Sequence, residues 1–208
     1  MIVLIARHGE TDWNCAGRYQ GRLESSLTHR GTAQAQALDA ALAGHPVARV
    51  VASPLRRCVD TAQPLSCRHG ITVETDSRLL EIAHGNWEGR LRDDIERNDP
   101  QTMRRWREEP DLVHFQGGES LADVDLRWRA FARELHGNNE VVLVTHDVVV
   151  RLAILHATRR APSRLWEPRV VNGGYARFTV DDEGWRLLDE CVDAHLAGLF
   201  VDPATQAL

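Results

Sequence analysis

The sequence lacks the marks of a secreted, membrane-spanning or nucleic-acid-binding chain. Cysteine is sparse: Cys15, Cys58, Cys67 and Cys191 show neither CxxC spacing nor the density of a disulfide scaffold. They read as reduced thiols in a reducing cytosol. No apolar run reaches the roughly 18 residues of a membrane span. Met1 leads into an apolar segment without the basic stretch of a targeting signal. A cytoplasmic protein with no membrane partner is expected. Positive charge is also in deficit, at a formal net charge of −5, which argues against general nucleic-acid binding. Any bound anion must therefore be held by local charge. Internal repeats, low-complexity tracts and linkers are missing too. What is present, 208 residues with 43% hydrophobic and 26% charged side chains, suits a single globular domain over 1–208.

Four β-rich apolar segments precede residue 150: "IVLIA" at 2–6, "RVVAS" at 49–53, "ITVET" at 71–75 and "EVVLVT" at 140–145. The first, second and fourth are nearly continuous apolar runs, as in strands covered on both faces. Between them lie helical patterns. "LTHRGTAQAQALDAALAG" has Thr28 as N-cap and Gly44 as a stop. "SLADVDLRWRAFARELHG" sets Leu121, Val124, Trp128, Phe131 and Leu135 on one face, with Ser120 as cap. "VVVRLAILHATR" is a further helix, and "GYARFTV" and "GWRLLDE" flank the turn "DDEG" as a hairpin. The alternation predicts an α/β fold: a three-layer α/β/α sandwich with a mostly parallel central sheet. Residues 90–118, charged and broken by Pro100 and Pro110, read as a helical insertion capping the active site, and 196–208 as a loose C-terminal tail.

In an open α/β sheet, ligands bind beyond the carboxyl ends of the strands. "IVLIA" ends at Arg7 and His8, "RVVAS" runs into Arg56 and Arg57, and "EVVLVT" ends at His146. Three strands thus deliver cationic or ionisable side chains to one rim. Clustered like charges call for an anion, and phosphate suits guanidinium forks.

These residues carry a resemblance. "RHGET", "WN" ending at Asn14, "SPLRRCVDTA", "LLEIAHGNWEG", "GGES" and "VTHDVVVR" occur in the order seen in the histidine phosphatase superfamily, and the chain resembles its cofactor-dependent phosphoglycerate mutase-like branch from Met1 to about Phe178. The resemblance implies that His8 is the nucleophile, forming a phosphohistidine. Arg7, Asn14, Arg57 and His146 hold the phosphoryl oxygens, and Glu81 serves as general acid and then base. No cofactor is expected, and no metal either, since the proposed site has no metal-ligand spacing and has cationic residues where a metal would sit. The second ring nitrogen of His8 must be held as a donor, and a backbone carbonyl in the "HGE" turn is the expected partner.

Other positions stay open at this level. The family pattern selects Arg57, leaving Arg56 as a surface charge. Glu88 suits a turn-stabilising role better than that of a second acid. Arg18, Gln20 and Gly21 of "GRYQG" are candidates for the substrate entrance, although a solvated loop arginine reads similarly. His84, His114, Trp106 and Phe115 could touch the non-phosphate part of a substrate, while Trp106 and Phe115 equally suit core packing. Asp147 departs from the glycine common in related sequences. Its backbone N–H can serve phosphate binding, and its carboxylate either turns outward as a helix cap or meets a cationic part of the substrate.

The short chain, and "IAHGNWEGRLRDD" where mutases of this branch resemble one another in a "YG.LQGLNK"-like segment, favour water as phosphoryl acceptor. The expected activity is a metal-independent phosphomonoesterase acting on a small phosphorylated metabolite. The alternatives are a mutase, a protein-phosphohistidine phosphatase, or a non-catalytic regulator that binds a phosphometabolite. Homodimerisation is compatible with the resemblance.

Overall fold

A strand with consecutive apolar side chains must be covered on both faces, and the first run is. Val3 and Ile5 enter one hydrophobic core while Leu4 and Ala6 enter another. The computed structural model of the protein describes residues 1–200 and Gln206. In chain order its elements are β1 (Ile2–Arg7), α1 (Asp12–Cys15), α2 (His29–Ala41), β2 (Val47–Ala52), α3 (Arg56–His69), β3 (Val73–Thr75), α4 (Arg92–Asn98), α5 (Pro100–Glu108), α6 (Leu121–Ala132), β4 (Glu140–Thr145), α7 (Asp147–Ala157), β5 (Tyr175–Asp181) and β6 (Gly184–Val192).

The strands form one sheet in the order β3-β2-β4-β1-β5-β6. The first four run parallel, and the β5-β6 hairpin continues the sheet antiparallel from β1. Helices α2 and α3 cover one face through Leu38, Leu42, Ala62 and Leu65. Helices α6 and α7 cover the other through Trp128, Phe131, Leu152 and Ile154. This is the expected three-layer sandwich.

Local chemistry sets the helix ends. The Thr28 hydroxyl accepts from Gly31 N, and Ser120 forms a reciprocal capping box with Asp123. Gly70 ends α3 in the left-handed conformation (φ 64°) that a side chain resists. Pro100 opens α5 at its first turn, where no backbone donor is needed, with Asp99 as cap. The stretch expected as an insertion folds into α4, α5 and a 3-10 turn at Pro110–Leu112. Its Met103 and Trp106 are buried with Trp87 and Phe115.

Some boundaries differ from expectation. β3 is confined to three residues, two of them exposed. α6 ends at Ala132, although Leu135 beyond it is still buried. Of the tail expected over 196–208, the buried Leu196 closes a 3-10 turn; 201–205 and 207–208 lie outside the described residues.

Candidate active site

Sheet register builds the site. In the parallel β1–β4 pair Arg7 lies opposite Thr145, so the next residues, His8 and His146, leave the sheet together. Their rings meet edge to face at 5.3 Å between centroids. On the other side of β4, Ala52 lies opposite Val144, which puts Ser53 beside the same corner. Ser53 Oγ is 2.8 Å from His146 Nε2.

The turn after β1 fixes the His8 ring. His8 Nδ1 lies 2.7 Å from the Gly9 carbonyl oxygen, which only accepts, so Nδ1 carries the proton and Nε2 keeps its lone pair. Burial, followed by the Arg57 and Arg7 charges, lowers the His8 pKa well below its ordinary value, so the ring is neutral near pH 7. Gly9 N donates to Thr61 Oγ1 at 3.0 Å. Gly9 also packs directly on α2: a Cβ there would stand 2.4 Å from the Gly31 carbonyl oxygen.

The chain contains no lysine, so every cationic side chain apart from histidine is a guanidinium. Arg7 and Arg57, each 1% exposed, face one cleft together with His8, Asn14, Glu81 and His84. Arg57 is aimed by two loop carbonyls, donating to Leu23 O at 2.8 Å and Gly21 O at 2.7 Å, and its Nε has no partner among the described residues. Asn14 Nδ2 is likewise buried without a partner, while its Oδ1 accepts from Thr11 in the capping box of α1. Burial pulls both guanidinium pKa values down, a strain that an incoming anion relieves. Arg56, by contrast, is at the surface, paired with Asp60.

Glu81 is the opposing group. Its Oε1 accepts from Ile82 N at 2.9 Å. Arg127 donates to the Glu81 carbonyl at 3.2 Å while paired with Glu119. Burial first, and the nearby Asp147 charge second, push the Glu81 pKa up to about 7, against the pull of Ile82 N–H, Arg57 and Arg7. A carboxyl poised there can give and retake a proton at neutral pH.

Of the candidate entrance residues, Gln20, Gly21 and His84 line the cleft. Arg18 does not; it donates to the Gly89 carbonyl and stacks over Trp13. Trp106 and Phe115 are core residues, their rings in edge contact with each other and with His84. His84 is neutral, since burial and Arg57 lower its pKa to about 3, and both its ring nitrogens are buried without a partner among the described residues. His114 lies outside the cleft in a bridge to Ser120. Glu88 accepts from His84 N and Arg22 N, which is a turn-stabilising role. His146 sits behind the cleft, fully buried.

Asp147 requires a correction. It neither turns outward nor caps α7; His146 holds the cap position. The Asp147 carboxylate is buried and paired with Arg7 Nη1 at 3.3 Å and Arg151 Nε at 2.5 Å. The helix-cap alternative fails because a helix-start aspartate usually finds its own helix amides, whereas here an arginine one turn later and another from β1 offer stronger partners.

Ser53, Thr61, Glu119 and Arg127 support the site but were not singled out from the sequence, although Ser53 and Thr61 lie within "SPLRRCVDTA". Gln206 had no sequence signal at all. Its Oε1 accepts from Arg7 Nη2 at 2.7 Å and its Nε2 donates to Asn172 Oδ1 at 2.7 Å. The cleft has about 20 Å³ of free space, room for roughly one water. Among the described residues, no three His, Cys, Asp or Glu side chains converge as a metal-ligand set. No helix of the described residues is long and apolar enough to cross a membrane.

The sequence profile of the histidine phosphatase superfamily (branch 1) matches residues 3–192. Phosphoserine phosphatase 1 of Hydrogenobacter thermophilus is 34% identical over 203 residues, covering 96% of each chain. Glucosyl-3-phosphoglycerate phosphatase of Mycobacterium tuberculosis is 33% identical over 194 residues, covering 88% of this chain and 86% of its own. Among solved structures, Bacillus stearothermophilus YhfR superposes with a TM-score of 0.90 at 29% identity, covering 94% of this chain and 98% of its own. Alpha-ribazole phosphatase from Shigella flexneri gives 0.85 at 26% identity, covering 93% and 98%.

Proposed function

The chain belongs to the histidine phosphatase superfamily (branch 1), and on that premise we propose that it hydrolyses phosphate monoesters of small metabolites through a phosphohistidine on His8. One observation carries this reading: a neutral imidazole with its Nδ1 proton tied to Gly9 O faces the same cleft as a buried carboxyl whose pKa is about 7. That is a nucleophile and an acid, each in its working protonation state at neutral pH.

The reaction follows from these groups. The substrate phosphoryl takes the place of the Gln206 carboxamide oxygen on Arg7, and Arg57 and Asn14 offer their unpartnered donors to its other oxygens. His8 Nε2 attacks phosphorus as the P–O bond to the alcohol breaks, and Glu81 protonates the departing oxygen. Glu81, now ionised, takes a proton from a water whose oxygen attacks the phosphohistidine, releasing phosphate and restoring both residues. His146, its Nε2 tied to Ser53, packs against the nucleophile ring. Fixed, buried donors of this kind supply the largest share of the rate in phosphoryl transfer.

The guanidinium-rich donor set supports chemistry without a metal, and four unpaired cysteines support a reducing compartment. Two named relatives act on phosphoserine and on glucosyl-3-phosphoglycerate, which makes small phosphorylated metabolites the substrate class to screen. The test is phosphate release from a panel of such metabolites with and without a chelator. Turnover of one or a few panel members that survives chelation supports the reading. Interconversion of phosphoglycerates with little phosphate release overturns it. Light scattering after gel filtration tests the homodimer compatible with the family.

A further inference from the structure

A buried aspartate on the phosphate-binding arginine is an odd component for an anion site, because it competes with the substrate for the same guanidinium. Asp147 is 1% exposed and lines the cleft with Glu81. Its Oδ2 is 2.5 Å from Arg151 Nε, and Arg151 is itself anchored by the Leu165 and Pro168 carbonyls and stacked over Trp166. The carboxylate is thus held in place by a second arginine that does not line the cleft. From there it meets Nη1 of Arg7, while Nη2 of the same fork is the one that Gln206 Oε1 occupies. Arg7 divides its two ends between a buried carboxylate and a neutral carboxamide oxygen.

We propose that Asp147 is a positioning residue for proton transfer: its carboxylate offsets the Arg7 charge and so keeps a proton on Glu81 until substrate binds. The groups facing Glu81 make the consequence specific. Arg7 at the end of β1 and Arg57 on α3 favour the carboxylate form, and the neutral rings of His8 and His84 contribute no charge. Arg127 of α6 is engaged with the Glu81 carbonyl and with Glu119. The buried Cys58 thiol of α3 stays protonated because burial raises its pKa. Among the described residues facing Glu81, Asp147 is therefore the anion opposing two cations, and after burial its charge is what raises the Glu81 pKa. The same charge repels a phosphate dianion, so Asp147 also weakens binding of the product.

The inference rests on the proposed role of Glu81, and the test separates the two. The Glu81 carboxyl is followed by carbon-13 NMR of glutamate-labelled protein, its signal identified by loss in Glu81→Gln, alongside kcat/KM against pH for an alkyl phosphate. In Asp147→Asn the Glu81 titration midpoint is expected to fall by about one pH unit. The alkaline limb of kcat/KM should move with it, and inorganic phosphate should inhibit several-fold more tightly. Asp147→Gly, which removes the carboxylate without leaving an amide in its place, should behave alike and guards against misfolding of the first variant. An unmoved midpoint in a folded variant, or uniform loss of activity at every pH, overturns the inference. A midpoint that falls while alkyl-ester turnover stays unchanged supports the electrostatic role of Asp147 and refutes instead the assignment of Glu81 as acid.

Discussion

Replacing Glu81 with glutamine removes a proton donor while keeping shape and burial, and the structure sets the size of the effect. An ordinary glutamate with pKa 4.5 is protonated in about one molecule in 300 at pH 7, whereas a group pushed up to about 7 is protonated in about half. Burial and Asp147 therefore enlarge the acid form more than 100-fold, which is worthwhile only if the proton is used. For an alkyl phosphate, whose leaving alkoxide needs that proton, Glu81→Gln should lower kcat/KM by about 10³. For p-nitrophenyl phosphate, whose leaving group departs without help, kcat/KM should fall less than about tenfold. There kcat should still drop, because water attack on the phosphohistidine loses its base, and a burst of nitrophenolate should appear. The wild-type alkyl-ester profile should fall above pH 7 and the variant's should be flat. Stability should change the other way. The folded state holds a proton that the unfolded chain releases between pH 4.5 and about 7, so the buried acid costs stability as pH rises through that window, reaching about 3 kcal/mol above it. Glu81→Gln should thus melt higher than wild type at pH 8 and equally at pH 4. Equal losses on alkyl and aryl esters, or an alkyl kcat/KM within tenfold of wild type, would refute the assignment.

Three further changes test the supporting geometry. Gly9→Ala drives a methyl into the Gly31 carbonyl at 2.4 Å and must shift the His8 turn; steady-state kinetics should show about a hundredfold loss in kcat/KM. Arg57→Lys cannot reach both loop carbonyls and a phosphoryl oxygen with one ammonium, so kcat/KM should fall about 10² to 10³-fold, with no rescue by added salt. Trp106→Ala empties the aromatic core under the cleft and should cost about 3–5 kcal/mol in urea unfolding, because the ring is fully buried against His84, Phe115 and Trp166.

The parts of the fold legible in the sequence are those governed by short-range pattern. β1, β2 and β4 declare themselves because both faces are buried, and α2 and α6 because Thr28 and Ser120 cap them. β3 is less legible: it is an edge strand of three residues, and its exposed side chains carry little hydrophobic signal. In the site, residues directly after strands were readable since strand direction fixes the rim on which they emerge. What escaped was long-range pairing. The contact of Asp147 with Arg7 joins β1 to α7, and that of Gln206 with Arg7 joins opposite ends of the chain. The tie from Ser53 to His146 also depends on which strands are neighbours, which no single segment encodes. Arg18, Trp106 and Phe115 were ambiguous for the opposite reason, since an arginine in a loop or an aromatic in a broken helix has the same local signature whether it packs or binds.

The central claim is that His8 Nε2 carries the phosphoryl group between the two half-reactions. Rapid denaturing quench of the enzyme during turnover of a phosphorus-32-labelled phosphomonoester, followed by peptide mapping, tests it directly. Acid-labile, alkali-stable label on the peptide containing His8, formed fast enough to account for kcat and missing in His8→Ala, is the predicted result. Label at another residue, or full turnover by His8→Ala, would contradict the account.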